Sequence, residues 1–233
     1  MLWHKVQGAG GTVGGGGGVI EFIDYLAFDV DGSGETTVTF PAGTQDGDLV
    51  ILFAAEDATH TYPTPPSPFT EIWSCDNGDG ASAFGVHSQM SYGYYNSATW
   101  PSSVVVEGAN DSSRSGAVVA VYRNVSTITS QTSNGQLQAT SAGPTVSFNS
   151  STLSSDGRVL CAVAIDDDIP SAASQTGYTA DVVDFVGSSA GNGAGIVLTL
   201  SDSTISSGSY TPPDVSVTGV SGEVINSMYL LLT

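Results

Sequence analysis

The stretch that decides the fold is GDLVILFAAED, residues 47–57, together with its later likeness GRVLCAVAIDD, residues 157–167. Each is a short apolar run between turn signals, too short for a buried helix and rich in β-formers, so each reads as a buried strand. Similar runs recur along the chain. The first half offers TTVTF (36–40), AFGVHSQMSYGYY (83–95), SVVVEG (103–108) and GAVVAVY (116–122). The second offers PTVSF (144–148), YTADVVDFV (178–186), GAGIVLTL (193–200), DVSVTG (214–219) and SMYLLLT (227–233). No segment carries a capped apolar stripe of helical period. The expectation is an all-β chain folded as an antiparallel β-sandwich.

The halves match in order. TVTF at 37 meets TVSF at 145, an offset of 108, and Gly47 meets Gly157 at 110. Phe69-Thr70 meets Tyr178-Thr179 at 109, Gly108 meets Gly219 at 111, and SGAVVAVY from Ser115 meets SMYLLLT from Ser227 at 112. Five blocks in one register point to two similar halves, about 36–123 and 144–233, within a domain spanning 19–233. Each half is a run of about five strands with one amphipathic face, and two such faces packed together make one sandwich. Two separate small domains, joined by a linker near 126–143, form the alternative.

Composition agrees with a turn-rich β protein. Charged residues are 12% of the chain, roughly half the globular average, while Ser, Thr, Asn and 29 glycines supply polarity and turns. Acids number 23 against four cations, Lys5, Arg114, Arg123 and Arg158, for a net charge of −19. That charge repels phosphate backbones and excludes nucleic acid as a partner. No stretch is long enough for a membrane span, and glycines dilute the N-terminus below a secretory signal. Cys161 lies in an apolar run and reads as buried; Cys75, in WSCDNGDG, reads as a free thiol in a polar loop.

The order PAG-x-x-x-GDLVILFAA, FTEI, an aromatic strand, SVVVEG and GAVVAVYRNVS, then TVSF, GRVLCAVAIDD, GYT, YTPPDVSVTG and MYLLLT, resembles a jelly-roll β-sandwich module. That module is found in bacteriophage virion proteins and in large bacterial surface proteins. The resemblance covers residues 36–233, and the opening WHKVQGAGG is similar to the starts of small phage structural proteins. FTEI and GYTADV stand where a Gly-Trp pair often ends the loop. The motifs mark packing and turns, so they specify fold better than function. The resemblance implies a non-enzymatic structural protein of the virion, decorating or cementing the capsid or forming a small surface appendage. Its partners would be other virion proteins and further copies of itself in a symmetric oligomer such as a trimer. Release by lysis would explain an extracellular acidic surface without a signal peptide. The competing reading is a carbohydrate-binding host-attachment protein, a tail fibre or adhesin, directed at a surface glycan.

Three sets of residues carry these readings. Tyr62, Trp73, Tyr92, Tyr95 and Trp100 offer aromatic faces beside Asn and Asp for a glycan; equally, they fill the sandwich and close its loops. Asp29, Asp31 and Glu35 in FDVDGSGETT, and Asp166 and Asp168 in DDD, offer oxygen ligands for calcium, though no Glu stands twelfth from Asp29 as an EF-hand requires. The alternative there is a Gly-Ser-Gly hairpin turn with solvated acids. No cofactor is otherwise implied, and no nucleophile elbow or metal-ligand histidine pair indicates an enzyme.

The third set is the opening, residues 1–18. The glycines fail both phosphate-loop patterns: the sixth position from Gly8 is Val13, and no Gly-Lys-Ser/Thr follows. Trp3 and Val6 are apolar, while Gly8, Gly10, Gly11, Gly14 and Gly18 leave backbone with almost no side chains. Such a segment cannot build a core but can lie against a partner at close approach. It reads as an extended docking arm.

Overall fold

The structure, a computed structural model, describes residues 19–30, 36–57, 65–76, 86–106, 115–132, 137–138, 145–166, 173–175, 183–186, 196–217 and 224–233. Among them there is no helix, and none therefore long and apolar enough to cross a membrane. The first seven strands are β1 (Glu21–Val30), β2 (Thr36–Thr39), β3 (Leu49–Asp57), β4 (Thr70–Asp76), β5 (Val86–Tyr94), β6 (Ser103–Val106) and β7 (Ser115–Arg123). The next five are β8 (Ile128–Thr132), β9 (Leu137–Gln138), β10 (Thr145–Val146), β11 (Ser151–Leu153) and β12 (Gly157–Asp166). The last are β13 (Ala173–Gln175), β14 (Val183–Val186), β15 (Ile196–Ile205), β16 (Gly208–Tyr210), β17 (Val215–Val217) and β18 (Val224–Leu232).

Two main antiparallel sheets dominate. One runs β1-β7-β3-β5-β4; the other runs β14-β15-β12-β18-β8, with β9 also pairing β18. Smaller sheets are β2-β6, β11-β16 and β10-β17-β13. The all-β antiparallel expectation is met. The apolar runs did not mark edge strands β1, β4 and β8, nor the two- and three-residue strands β9, β11, β13 and β16. TEIWSCD and ITSQT are short and mixed, as edge strands with a single partner can be. The stretch 126–143, the linker of the two-domain alternative, thus contributes an edge strand to the second sheet.

The expectation of one amphipathic face per half needs correction. On β3, Leu49, Ile51, Phe53 and Ala55 point into a central core, while Val50, Leu52 and Ala54 point the opposite way into a second core. Strand β7 divides likewise, with Val118, Ala120 and Tyr122 inward and Ala117, Val119 and Val121 outward. In the second sheet, Leu160, Ala162 and Ala164 of β12 and Met228, Leu230 and Leu232 of β18 enter the same central core. Val159, Cys161, Val163, Tyr229 and Leu231 enter a third core on that sheet's far side. A strand covered on both faces reads as a continuous apolar run, which is why LVILFAA does not alternate. Four layers result. The pair β2-β6 covers the first main sheet through Val38, Val104 and Val106. Val146, Phe148 and Leu153 cover the second. The central core is shared by residues of both main sheets.

The sheets share a pole. Glu21 of β1 pairs with Arg123 at the end of β7, and Ile128 of β8 pairs with Leu232 at the end of β18. Between them, residues 124–127 pass from one sheet to the other. Asn124 turns the chain there with φ of 64°, a left-handed conformation that asparagine tolerates. Its side-chain amide donates to the Val19 carbonyl at 2.9 Å, while the Ser126 and Thr127 amides donate to the Thr233 carbonyl, each at 2.7 Å. Both ends of the described chain therefore meet at the junction of the sheets.

An ion pair locks this pole. Asp48 is 2% exposed and accepts from Arg123 Nε and Nη2, each at 2.8 Å, and from the Gln45 amide at 2.8 Å. Arg123 also donates to the Gly43 carbonyl at 3.1 Å. The paired carboxylate holds the guanidinium charge even more firmly than usual. Arg123→Ala strands a buried carboxylate and is expected to cost about 2–3 kcal/mol in urea unfolding. Arg123→Lys should recover less than half of that loss, since an ammonium cannot make the two-pronged contact.

Candidate functional site

The described surface near this pole is organised by aromatic rings. Phe40, Phe69, Tyr95 and Trp100 form one cluster: Trp100 lies 5.4 Å from Phe40, 5.2 Å from Phe69 and 5.4 Å from Tyr95 between ring centres. Tilted and edge-on geometry at these distances is what ring quadrupoles favour. Two turns set the rings. The Phe69 amide donates to the Pro66 carbonyl at 2.8 Å, and the Trp100 amide donates to the Asn96 carbonyl at 2.8 Å. Phe69 is buried, while Phe40, Tyr95 and Trp100 are half-buried against the outer core of the first sheet. Gly93 makes room for Trp100, because a Cβ there would lie 2.6 Å from the indole.

The other expected rings separate. Trp73, on β4 beside a bulge between Glu71 and Trp73, is 9% exposed and belongs to the central core. Tyr92 packs against the edge of that core. Tyr94, two residues on, stands edge-on to Tyr92 at 6.3 Å and is 43% exposed. Partial burial, and next the Tyr92 hydroxyl, raise the Tyr94 phenol above its ordinary range. Trp73 and Tyr92 therefore belong with the central core, and the Tyr95–Trp100 pair with the outer core of the first sheet. Tyr94, which the sequence reading did not single out, is the ring most open to solvent among those described. Its register opposite Leu49, past the start of β4, leaves it without a neighbouring strand on one side.

The acid sets are placed in part. Asp29 stands in β1 opposite Gly116, and Asp166 ends β12 opposite Ile196, so the two belong to different main sheets. Asp31, Glu35 and Asp168 lie outside the described residues, as do Tyr62 and the arm residues Trp3, Val6, Gly8, Gly10, Gly11, Gly14 and Gly18. The Gly-Ser-Gly turn read in this stretch lies outside the described residues as well; of the strands on either side, β1 pairs with β7 and β2 with β6. Among the described residues, no group of three or more His, Cys, Asp or Glu side chains is placed to hold a metal ion. Asp46, fully exposed, accepts from the Ser97 amide at 2.6 Å, and this hydrogen bond lowers its pKa.

Polar groups inside the molecule are the second feature missed. Cys75 lies within β4, not in a loop, and its thiol donates to Asn226 Oδ1 at 3.3 Å. Asn226 Nδ2 donates to Ser88 Oγ at 3.0 Å and to the Cys75 carbonyl at 3.3 Å. Arg158 is 5% exposed, with its guanidinium carbon 5.8 Å from the Phe22 ring centre and 5.9 Å from that of Tyr122. The signal was a single arginine or asparagine inside an apolar run, GRVL and INSMYLLL.

These groups bind the sheets to one another, and the rings bind turns to the sheet. No family model, curated protein or solved structure matches the chain. The packing of Trp100 has a direct consequence for stability. Gly93→Ala should cost about 1–3 kcal/mol through overpacking, and Trp100→Ala should be destabilising as well. Combined, the two should cost clearly less than their sum, because removing the indole frees the space the methyl needs. Simple addition in thermal or urea unfolding would contradict this placement of the ring.

Proposed function

We propose that the chain is a non-enzymatic structural component of a bacteriophage particle, anchored through residues 1–18 and decorating or cementing the shell or forming a small appendage on it. The observation that carries the reading is the polarity of the molecule. Residue 19, the sheet junction and Thr233 gather at one pole, so the glycine-rich segment joins the body where the tight turns lie. The opposite pole is defined by the pairs Val30 with Ser115, Asp57 with Val86, and Asp166 with Ile196. Strands β4 and β14 end at that pole, and β5 and β15 begin there. A body held at one pole leaves the other facing outward.

Strand order supports the finer reading as a jelly roll. In the first half, the first, last, third and fifth strands lie side by side, while the second pairs with the sixth across the sandwich. That is the wrapped antiparallel order expected of such a module. A carbohydrate-binding attachment protein would need several rings free to stack on a sugar. Trp73 lies in the core and Tyr95 and Trp100 face each other, which favours the structural reading.

Quantitative mass spectrometry of purified particles is the test. Copies comparable to the shell protein indicate decoration, a few to a few dozen indicate an appendage, and absence from particles overturns the proposal. Deleting residues 1–18 is expected to abolish incorporation while leaving the melting temperature of the body unchanged. Incorporation that persists at the full level would reject the docking arm.

A further inference from the structure

The two main sheets have the same order of strands. From edge to edge, β1-β7-β3-β5-β4 in one has the counterpart β8-β18-β12-β15-β14 in the other, and the detached pair β2-β6 has the counterpart β10-β17. The registers correspond as well. Phe53 lies between Val118 and Met90, while Ala162 lies between Met228 and Leu200. The flanking residues thus shift by 110 (118 to 228, 90 to 200) and the middle one by 109 (53 to 162). At the edge, Phe22 pairs with Tyr122 as Ile128 pairs with Leu232. Phe22, Phe53, Val118, Tyr122, Ala162, Met228 and Leu232 all face the central core, with Ile128 packed against it.

Side-chain direction corrects the offsets read from sequence. At 110, Phe53 would fall on Val163, which faces the outer core of the second sheet. A slip of one residue turns every side chain to the other face, so only 109 preserves the central core. The 112 that aligned Ser115 with Ser227 becomes 110, with Ala120 on Leu230.

Contacts across the core are reciprocal. Strand β7 meets β15 as β18 meets β5; β3 meets β15 as β12 meets β5; and β3 meets β12. Exchanging the halves maps these five contacts onto themselves, which is the mark of a two-fold interface, while the contact of β1 with β14 departs from it. We infer that the central core is a two-fold interface between two copies of one module, and that the surface each half fits is the corresponding surface of the other.

The copies differ where they meet, and the differences are complementary. Large Phe53 has small Ala162 as its counterpart, and small Ala120 has large Leu230. Arg158 takes the place of Leu49 and lays its guanidinium over Phe22 and Tyr122 of the first half. Asn226 takes the place of Gly116 and reaches Ser88 and Cys75 of the first half. Both polar contacts run from the second half into the first. Two first halves would lack them, and would bring two Phe53 rings into a central core that holds one. The interface therefore selects pairing within the chain over pairing of like halves between chains.

Exchange of the counterpart residues in the full chain tests this. Phe53→Ala and Ala162→Phe should each lower the urea midpoint, one by leaving a cavity and one by overpacking. The double variant should recover about half or more of the summed loss, because it returns the same volume to the other side of the axis. Losses that add or compound overturn the two-fold. Should Ala162→Phe alone fail to fold, a folded monomeric double variant supports the inference and an unfolded one refutes it.

Discussion

Everything in this structure follows from strands that are apolar on both faces. A strand such as β3 sends alternate side chains to opposite sides, and seven consecutive buried residues, Leu49 to Ala55, require cover on each. One facing sheet supplies only one cover. The chain meets the demand twice over, packing its main sheets against each other and laying shorter strands over their outer faces. Short pieces such as β2, β6 and β10 suffice as lids because each needs only one apolar face; β6 shows it, with Val104 and Val106 inward and Val105 exposed.

The same demand explains where charge is tolerated. Two of the chain's four cations, Arg123 and Arg158, are used inside the described body, one clasping buried Asp48 and the other stacked on two rings. The other two, Lys5 and Arg114, lie outside the described residues. Few cations remain to offset an acid excess that the apolar cores cannot house. A strongly acidic exterior keeps copies of the body from sticking to one another indiscriminately.

How much of this was legible depended on the residues involved. The central strands declared themselves, since LVILFAA and VLCAVAI have no other economical home. Layer number did not, because the same runs were read as one amphipathic face when their lack of alternation already implied two covered faces. Edge strands were lost for the opposite reason: ITSQT has too few apolar residues to stand out, and its place beside β18 is set by the ladder to Met228–Leu232. The register between halves was off by one at β3 for want of direction; Gly47 and Gly157 matched as letters, whereas Phe53 and Ala162 match as places in a core. Rings misled most. Tyr and Trp beside Asn suggest a sugar platform, yet an indole over Gly93 with three aromatic neighbours is a packed wedge, and sequence spacing cannot tell a face turned outward from one turned in.

That distinction bears on what kind of molecule this is. Binding proteins keep a few apolar groups at the surface, because recognition needs area that water will release. Here the described large apolar groups left exposed are Tyr94 and Val105, one at the end of a core strand and one on a covering strand. The interior shows the reverse economy: polar groups that could serve a ligand, Asn226 and Arg158, are turned inward and joined to the other half. A body whose inward polar groups join one main sheet to the other spends that chemistry on its own packing.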